Sequence, residues 1–250
     1  MSTTHQGLLI PADTPVHRLA PQCKVAASTL FVLAVACTPA GVYRPYLWDL
    51  LLLAAVAALA RLSPLIMMRR MLVEVPFLLF VVALPVLGGP PRLTMLGIAL
   101  SVPGLQAAAT IALKATFGLL ATSILAATTP LPDIVTGLER LRVPRVFTAV
   151  AAFMVRYLEV LAAELARMRT AALCRGAQPR GLWQVREVTA GLGALLARSF
   201  QRGERVYLAM ASRGYTGTLP SALISAAAPR RAWVGALAVP ALAAIGLALA

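Results

Sequence analysis

Residues 105–129 read LQAAATIALKATFGLLATSILAATT, with one charge, Lys114, and Pro130 immediately after. As a helix rising about 1.5 Å per residue, the stretch outreaches the roughly 30 Å hydrocarbon core of a bilayer. It reads as a membrane-spanning helix, and the rest of the chain agrees with it. Of 250 residues, 60% are apolar and 13% charged, where an ordinary soluble domain carries roughly 25% charged residues. That balance excludes disorder and a disulfide-stapled secreted domain, and it argues against a water-soluble enzyme. A net charge of +14 suits nucleic acid in other contexts, but nucleic-acid-binding domains do not carry so much continuous apolar sequence. The partner it points to is the lipid bilayer.

Four further apolar runs lie outward from this one. They are Val25–Thr38, Tyr46–Ala60, Met71–Leu87 and Ala232–Ala250. Tyr46 and Trp48 open the second as interfacial aromatics do, and Pro76 and Pro85 should kink the third. The first two are short for full spans. The polar stretch Met1–Pro21 does not read as a cleavable signal peptide. Basic residues alternate between the connections: Arg18 and Lys24, then Arg44 alone, then Arg61, Arg69 and Arg70, then Arg92 alone. The positive-inside rule places the N-terminus, the 61–70 loop and residues 131–231 in the cytoplasm, and the C-terminus outside. The predicted fold is an all-α polytopic membrane protein with about five transmembrane helices. Residues 1–130 hold the first four, 131–231 form a cytoplasmic segment, and 232–250 form the last.

The cytoplasmic segment holds fifteen Arg, no Lys and six acids. Arginine alone fits bidentate recognition of carboxylates better than loose attraction to lipid. Pro132-Asp133 opens a short helix to about Leu141. Pro144 sits where a first-turn proline belongs, and a long helix follows to Cys174. Val150, Phe153, Met154, Tyr157, Leu158, Leu161, Leu165 and Met168 recur at three and four residues and predict one apolar face. Arg156 with Glu159, and Glu164 with Arg167, are i,i+3 pairs beside it. A third helix runs from about Trp183 to Ser212. Val188, Leu192, Leu195, Leu196 and Ser199 give its apolar side, and Arg198, Arg202 and Arg205 a basic stripe. Both long helices end in a small residue, Arg and Gly: Cys174-Arg175-Gly176 and Ser212-Arg213-Gly214. One reading is ordinary helix capping, with Arg complementing the dipole. The other is a pair of docking tips for a partner's acidic groove.

Catalytic chemistry finds no purchase. There is no G-x-x-x-x-G-K-[ST], and Lys24 and Lys114 are the only lysines, so a P-loop cannot form. His5 and His17 are the only histidines, and neither falls in a span, so a transition-metal cargo must be held by another subunit. Cys23, Cys37 and Cys174 are odd in number and form no C-x-x-C pair. No cofactor or metal is expected. Among polar residues near spans, Lys114 is either paired or functional, or else snorkels. Asp49 is expected at the interface, and Glu74 is expected to pair with Arg69 or Arg70. Met67, Met68 and Met71 are read as packing.

Three stretches carry a family likeness. They are His17-Arg18-Leu19-Ala20-Pro21-Gln22-Cys23-Lys24-Val25; Leu138-Glu139-Arg140-Leu141-Arg142-Val143-Pro144-Arg145 with Met154-Val155-Arg156-Tyr157-Leu158; and Arg198-Ser199-Phe200-Gln201-Arg202-Gly203-Glu204-Arg205 running on to Tyr215. The chain resembles the T component, the energy-coupling transmembrane subunit, of ECF-type transporters, most like the cobalt-transport branch, CbiQ. The resemblance implies an L-shaped helical subunit of a bacterial or archaeal inner membrane, with no enzymatic activity of its own. It implies two ABC-type ATPase subunits as partners and a substrate-binding membrane subunit, either an S component or a metal-binding M-type subunit. It implies that Arg175 and Arg213 pair with ATPase carboxylates while Gly176 and Gly214 permit close approach. Cys174 and Ser212 stand where the family pattern has Ala. Leu100-Ser101-Val102-Pro103-Gly104-Leu105 stands where that pattern has a charged turn. Arg156, Glu159, Glu164, Arg198, Arg202 and Arg205 would support the coupling helices. The implied cargo is cobalt, with nickel or a vitamin as alternatives. A stand-alone polytopic membrane enzyme or assembly factor that binds anionic lipid is the reading from another class.

Overall fold

A computed structural model describes residues 9–10, 12–87, 92–95, 98–176, 183–216 and 228–248. Among the described residues the architecture is helical apart from one short hairpin, as the composition predicted. The chain divides into two compact units. One carries residues 142–216; the other carries 9–141 and 228–248.

The larger unit begins with α1 (Pro15–Arg18), where the Thr14 hydroxyl accepts from the His17 amide. Then follow α2 (Pro21–Cys37), α3 (Arg44–Leu59), α4 (Pro64–Met71), α5 (Val75–Val81) and α6 (Leu84–Leu87). Proline opens α2, α3, α4 and α5, at the one place where its missing N–H costs a helix nothing. An antiparallel hairpin, β1 (Arg92–Met95) and β2 (Ile98–Ser101), sets Arg92 opposite Ser101. The unit is completed by α7 (Val102–Thr128), α8 (Leu131–Arg140) and α11 (Arg230–Ala248). The quoted stretch forms nearly all of α7, which packs on α2, α3, α4, α5 and α6. Phe31, Tyr46, Leu53, Phe117, Ala121, Ile124 and Ala243 meet in the core. The Tyr46 and Phe117 rings stack at 5.8 Å.

Both lysines are used to close helix ends. Lys24 Nζ donates to the Thr128 carbonyl, the last of α7, at 2.9 Å and to the His17 carbonyl at 3.3 Å. Lys114 Nζ donates to the Ala36 carbonyl in the last turn of α2 at 2.7 Å. The last carbonyls of a helix have no partner within it, and hydrocarbon offers none. Lys114 is therefore paired. Asp49 is 3% exposed, and one of its carboxyl oxygens has no hydrogen-bond partner among the described residues, as is true of the Tyr46 hydroxyl. A place near a span end says nothing about which face of the helix is covered. Glu74 accepts from the Thr116 hydroxyl at 3.0 Å instead of pairing with Arg69 or Arg70, while Arg70 donates to the Ser123 carbonyl. Met67 packs in the core and Met68 is exposed.

The expected third span is broken rather than kinked. A 3₁₀ turn at Leu72–Glu74 separates α4 from α5, and α6 is a further short piece. Pro76 and Pro85 remove two amides from a ladder that would otherwise run on. Helices α2 and α3 hold 17 and 16 residues, about 25 Å each. By length and composition, three helices among the described residues are long and apolar enough to cross a membrane: Val102–Thr128, Arg230–Ala248 and Arg145–Cys174. The last lies in the stretch read from sequence as having no span. Its apolar run is the stretch that follows Arg145.

The smaller unit is a pair of long helices, α9 (Arg145–Cys174) and α10 (Trp183–Ala211). They run antiparallel, with Met168 near Gly191 and Glu164 bonded to Arg198.

Helix α8 seats on α2 through a close backbone approach. A β-carbon on Gly137 would lie 3.1 Å from the Gln22 amide nitrogen, and Arg140 donates to the Gln22 side chain. Gly137→Val is expected to destabilise the larger unit by about 1–3 kcal/mol, read as a lowered melting temperature in detergent. Gly118→Ala, where nothing lies within 4 Å of the new atom, should melt at or above the wild-type temperature.

Candidate functional site

The candidate site is the pair of helix ends at Arg175 and Arg213. Helix α9 stops because Gly176 takes φ +83° and α10 because Gly214 takes φ +82°, a conformation that a β-carbon disfavours. At the second tip the Gly214 amide donates to the Ala211 carbonyl and the Tyr215 amide to the Met210 carbonyl, both at 3.0 Å. These are the two bonds of a Schellman cap. At the first tip the Gly176 amide donates to the Leu173 carbonyl at 3.0 Å and the Arg175 amide to the Ala172 carbonyl. The backbone therefore closes its own helix ends. Neither guanidinium is needed for capping, and both arginines are exposed, with no ion pair among the described residues. The Ser212 hydroxyl bonds back to the Ala209 carbonyl at 3.0 Å, and Cys174 is an exposed free thiol. The two positions before the arginines thus present little side chain of their own.

The helices behind the tips are tied by one carboxylate. Glu164 accepts from Arg167 at 2.6 Å on its own helix and from Arg198 at 2.6 Å on α10. The i,i+3 pair of Glu164 and Arg167 is as expected. The cross-helix bond to Arg198 is 34 residues away in sequence and has no local signature. Arg156 and Glu159 do not pair, and the stripe of Arg198, Arg202 and Arg205 divides: Arg198 is held by Glu164, Arg202 is half-buried, and Arg205 is exposed.

The apolar face predicted on α9 is two faces. Phe153, Tyr157, Leu161, Leu165 and Met168 are half-buried, with the Phe153 and Tyr157 rings stacked at 6.3 Å. Phe147, Val150, Met154 and Leu158 form an exposed stripe. On α10, Leu195, Ser199, Arg202 and Val206 are half-buried, whereas Leu192, Leu196 and Phe200 are exposed, Phe200 by 73%. The Val188 side chain lies outside the described residues. The sequence reading missed that division because two adjacent stripes at three- and four-residue spacing merge into one broad face.

Residues 12–226 match the family CbiQ, described as cobalt transport protein. The chain belongs to the CbiQ family. A relative named cobalt transport protein CbiQ, from Rhodobacter capsulatus, is 34% identical over 124 residues, 49% of this chain and 50% of that protein. Two relatives are named energy-coupling factor transporter transmembrane protein EcfT. The one from Thermanaerovibrio acidaminovorans is 30% identical over 84% of this chain and 82% of its own length. The one from Heliobacterium modesticaldum is 28% identical over 84% of each. The match thus spans about half of the R. capsulatus protein and most of the two EcfT proteins. With this family and its apolar helices, the chain is a membrane protein and a transport subunit. The CbiQ match includes both arginine tips.

Glu164→Gln should loosen the CbiQ-type helix pair, because the cross-helix bond loses its charge. The expected result is faster amide exchange along α10 near Arg198 with unchanged protection in α7. Equal exchange in both proteins would show that apolar packing alone holds the pair.

Proposed function

We propose that this chain is the energy-coupling transmembrane subunit of an ECF-type ABC importer, and that its cargo is cobalt ion. Two ATPase subunits dock on the tips, each engaging one of Arg175 and Arg213 with a carboxylate. Cys174, Gly176, Ser212 and Gly214 let the partner approach the backbone. The observation that carries this reading is that both tips cap themselves through left-handed glycines, which leaves both guanidinium groups free for another chain. The names of the relatives agree with it.

In this reading the chain crosses the inner membrane several times, with residues 9–24 and the α9–α10 unit in the cytoplasm. Helix α9 is long enough to span, but Arg156, Glu159, Glu164, Arg167 and Arg169 are spread along it, where α7 has one charge. Charges cost at least a few kcal/mol each at the bilayer centre, so α9 belongs outside. ATP hydrolysis is done by the partners, since this chain has no P-loop sequence. ATP binding closes the ATPases and moves the grooves that hold the tips. The Glu164-braced helices transmit that motion, and the exposed stripes, Phe147 to Leu158 on α9 and Leu192 to Phe200 on α10, meet the substrate-binding membrane subunit.

Arg175→Ala with Arg213→Ala removes both guanidinium groups. Breaking a buried ion pair costs about 3–5 kcal/mol, so ATPase co-purification on an affinity tag should weaken by at least ~100-fold and ATP-dependent uptake should stop. Full co-purification with unchanged uptake would refute the docking. The cargo is tested by uptake of labelled cobalt against labelled nickel in cells that co-express the neighbouring subunits. Cobalt should accumulate preferentially, and equal or greater nickel uptake would reassign the cargo.

A further inference from the structure

The larger unit contains a cavity of about 330 Å³ among α2, α3, α7 and α11, with walls that are almost wholly apolar. Phe31, Leu53, Ile124, Val239 and Gly235 line it, and Lys24 is its cationic residue. At roughly 30 Å³ per water-sized group, it has room for about eleven such groups, the volume of most of an acyl chain. Water has little reason to enter so apolar a space.

The charges gather at one end. Lys24 lies in the first turn of α2 and is bonded to the final carbonyl of α7. Two of its three N–H groups are taken by carbonyls, which leaves one donor. Helix α11 starts at Arg230, and Gly235 and Val239 continue the face of Arg231 at i+4 and i+8. Arg230 and Arg231 are exposed and have no ion pair among the described residues. A β-carbon on Gly246 would meet Trp48 in the first turns of α3, so α11 runs antiparallel to α3. Its arginine end is therefore the end where α3 and α7 finish and α2 begins. The positive end of the α11 dipole adds to the three cations. The acids nearby are few: Asp13 is held by Arg18 through two short hydrogen bonds, and Asp133 of α8 is close enough to Lys24 to attract it electrostatically.

We infer that this cleft is a binding site for an anionic glycerophospholipid, with one acyl chain between α2, α7 and α11 and the phosphate at Lys24 and Arg231. A chain-sized apolar slot that ends in cations matches the two halves of such a lipid. A neutral sterol or a detergent would use only the slot. The inference needs the larger unit to sit in a bilayer and does not depend on ATPase docking.

The test is to purify the full chain in mild detergent and identify retained phospholipid by mass spectrometry, beside Gly235→Leu and Arg231→Gln. Nothing lies within 4 Å of a β-carbon on Gly235, so the leucine enters the cleft without disturbing the backbone. Wild type should retain anionic lipid in preference to zwitterionic lipid. Gly235→Leu should lose it. Arg231→Gln, an exposed change that keeps the fold, should bind anionic lipid about 5-fold more weakly in nanodisc titrations while zwitterionic lipid is unaffected. Detergent alone in the wild-type cleft, equal retention by Gly235→Leu, or no headgroup preference would each overturn the assignment.

Discussion

Every helix C-terminus leaves carbonyl oxygens without partners inside the helix. This chain meets that constraint in two ways, and the division of labour follows from it. In the larger unit the ends of α7 and α2 are closed by the only two lysines, Lys24 on Thr128 and Lys114 on Ala36. Each charge is thereby placed on a dipole that favours it, and α2 is joined at both of its ends to α7, at Thr128 and at mid-helix Lys114. In the smaller unit the ends of α9 and α10 are closed by backbone amides that turn through Gly176 and Gly214. The arginines beside those glycines make no ion pair among the described residues. The same physical problem, solved by side chains in one unit and by glycine in the other, ties up the lysines and releases the arginines.

The helix pair that carries the tips combines a firm seam with unsatisfied flanks. Glu164 draws two guanidinium groups to a single carboxylate, and an aromatic stack continues the seam toward the start of α9. Beside the seam, large apolar side chains from Phe147 to Leu158 and from Leu192 to Phe200 remain uncovered. Contiguous apolar surface of that kind marks contact with a membrane or another protein. It suits a subunit that works inside an assembly, in keeping with the CbiQ family and with relatives named as transmembrane proteins of energy-coupling factor transporters.

The larger unit keeps polar groups where packing alone would not put them. Asp49 and the Tyr46 hydroxyl lie buried on adjacent turns of α3 with unmet hydrogen-bonding capacity, and Glu74 leans on Thr116. Buried polar groups of this sort cost stability. The break between α4 and α5 comes beside Glu74, so a broken stretch of the unit and one of its buried acids coincide.

Local chemistry in the chain was enough to determine the helical class, the arginine-glycine tips and the Glu164–Arg167 pair. Hydrophobic period, proline at helix starts and glycine after helix ends all act within a few residues. It was enough, too, to show the likeness to the coupling-subunit family in stretches such as Arg198 to Tyr215. Only the tertiary structure decided the rest. It chose the face of α3 that buries Asp49, the partner of Glu74, and the carbonyls that take Lys24 and Lys114. It divided the apolar residues of α9 between a seam and an exposed stripe. Those outcomes depend on groups from 34 to 104 residues apart in the chain, and no periodicity along one helix specifies which neighbour will cover which face.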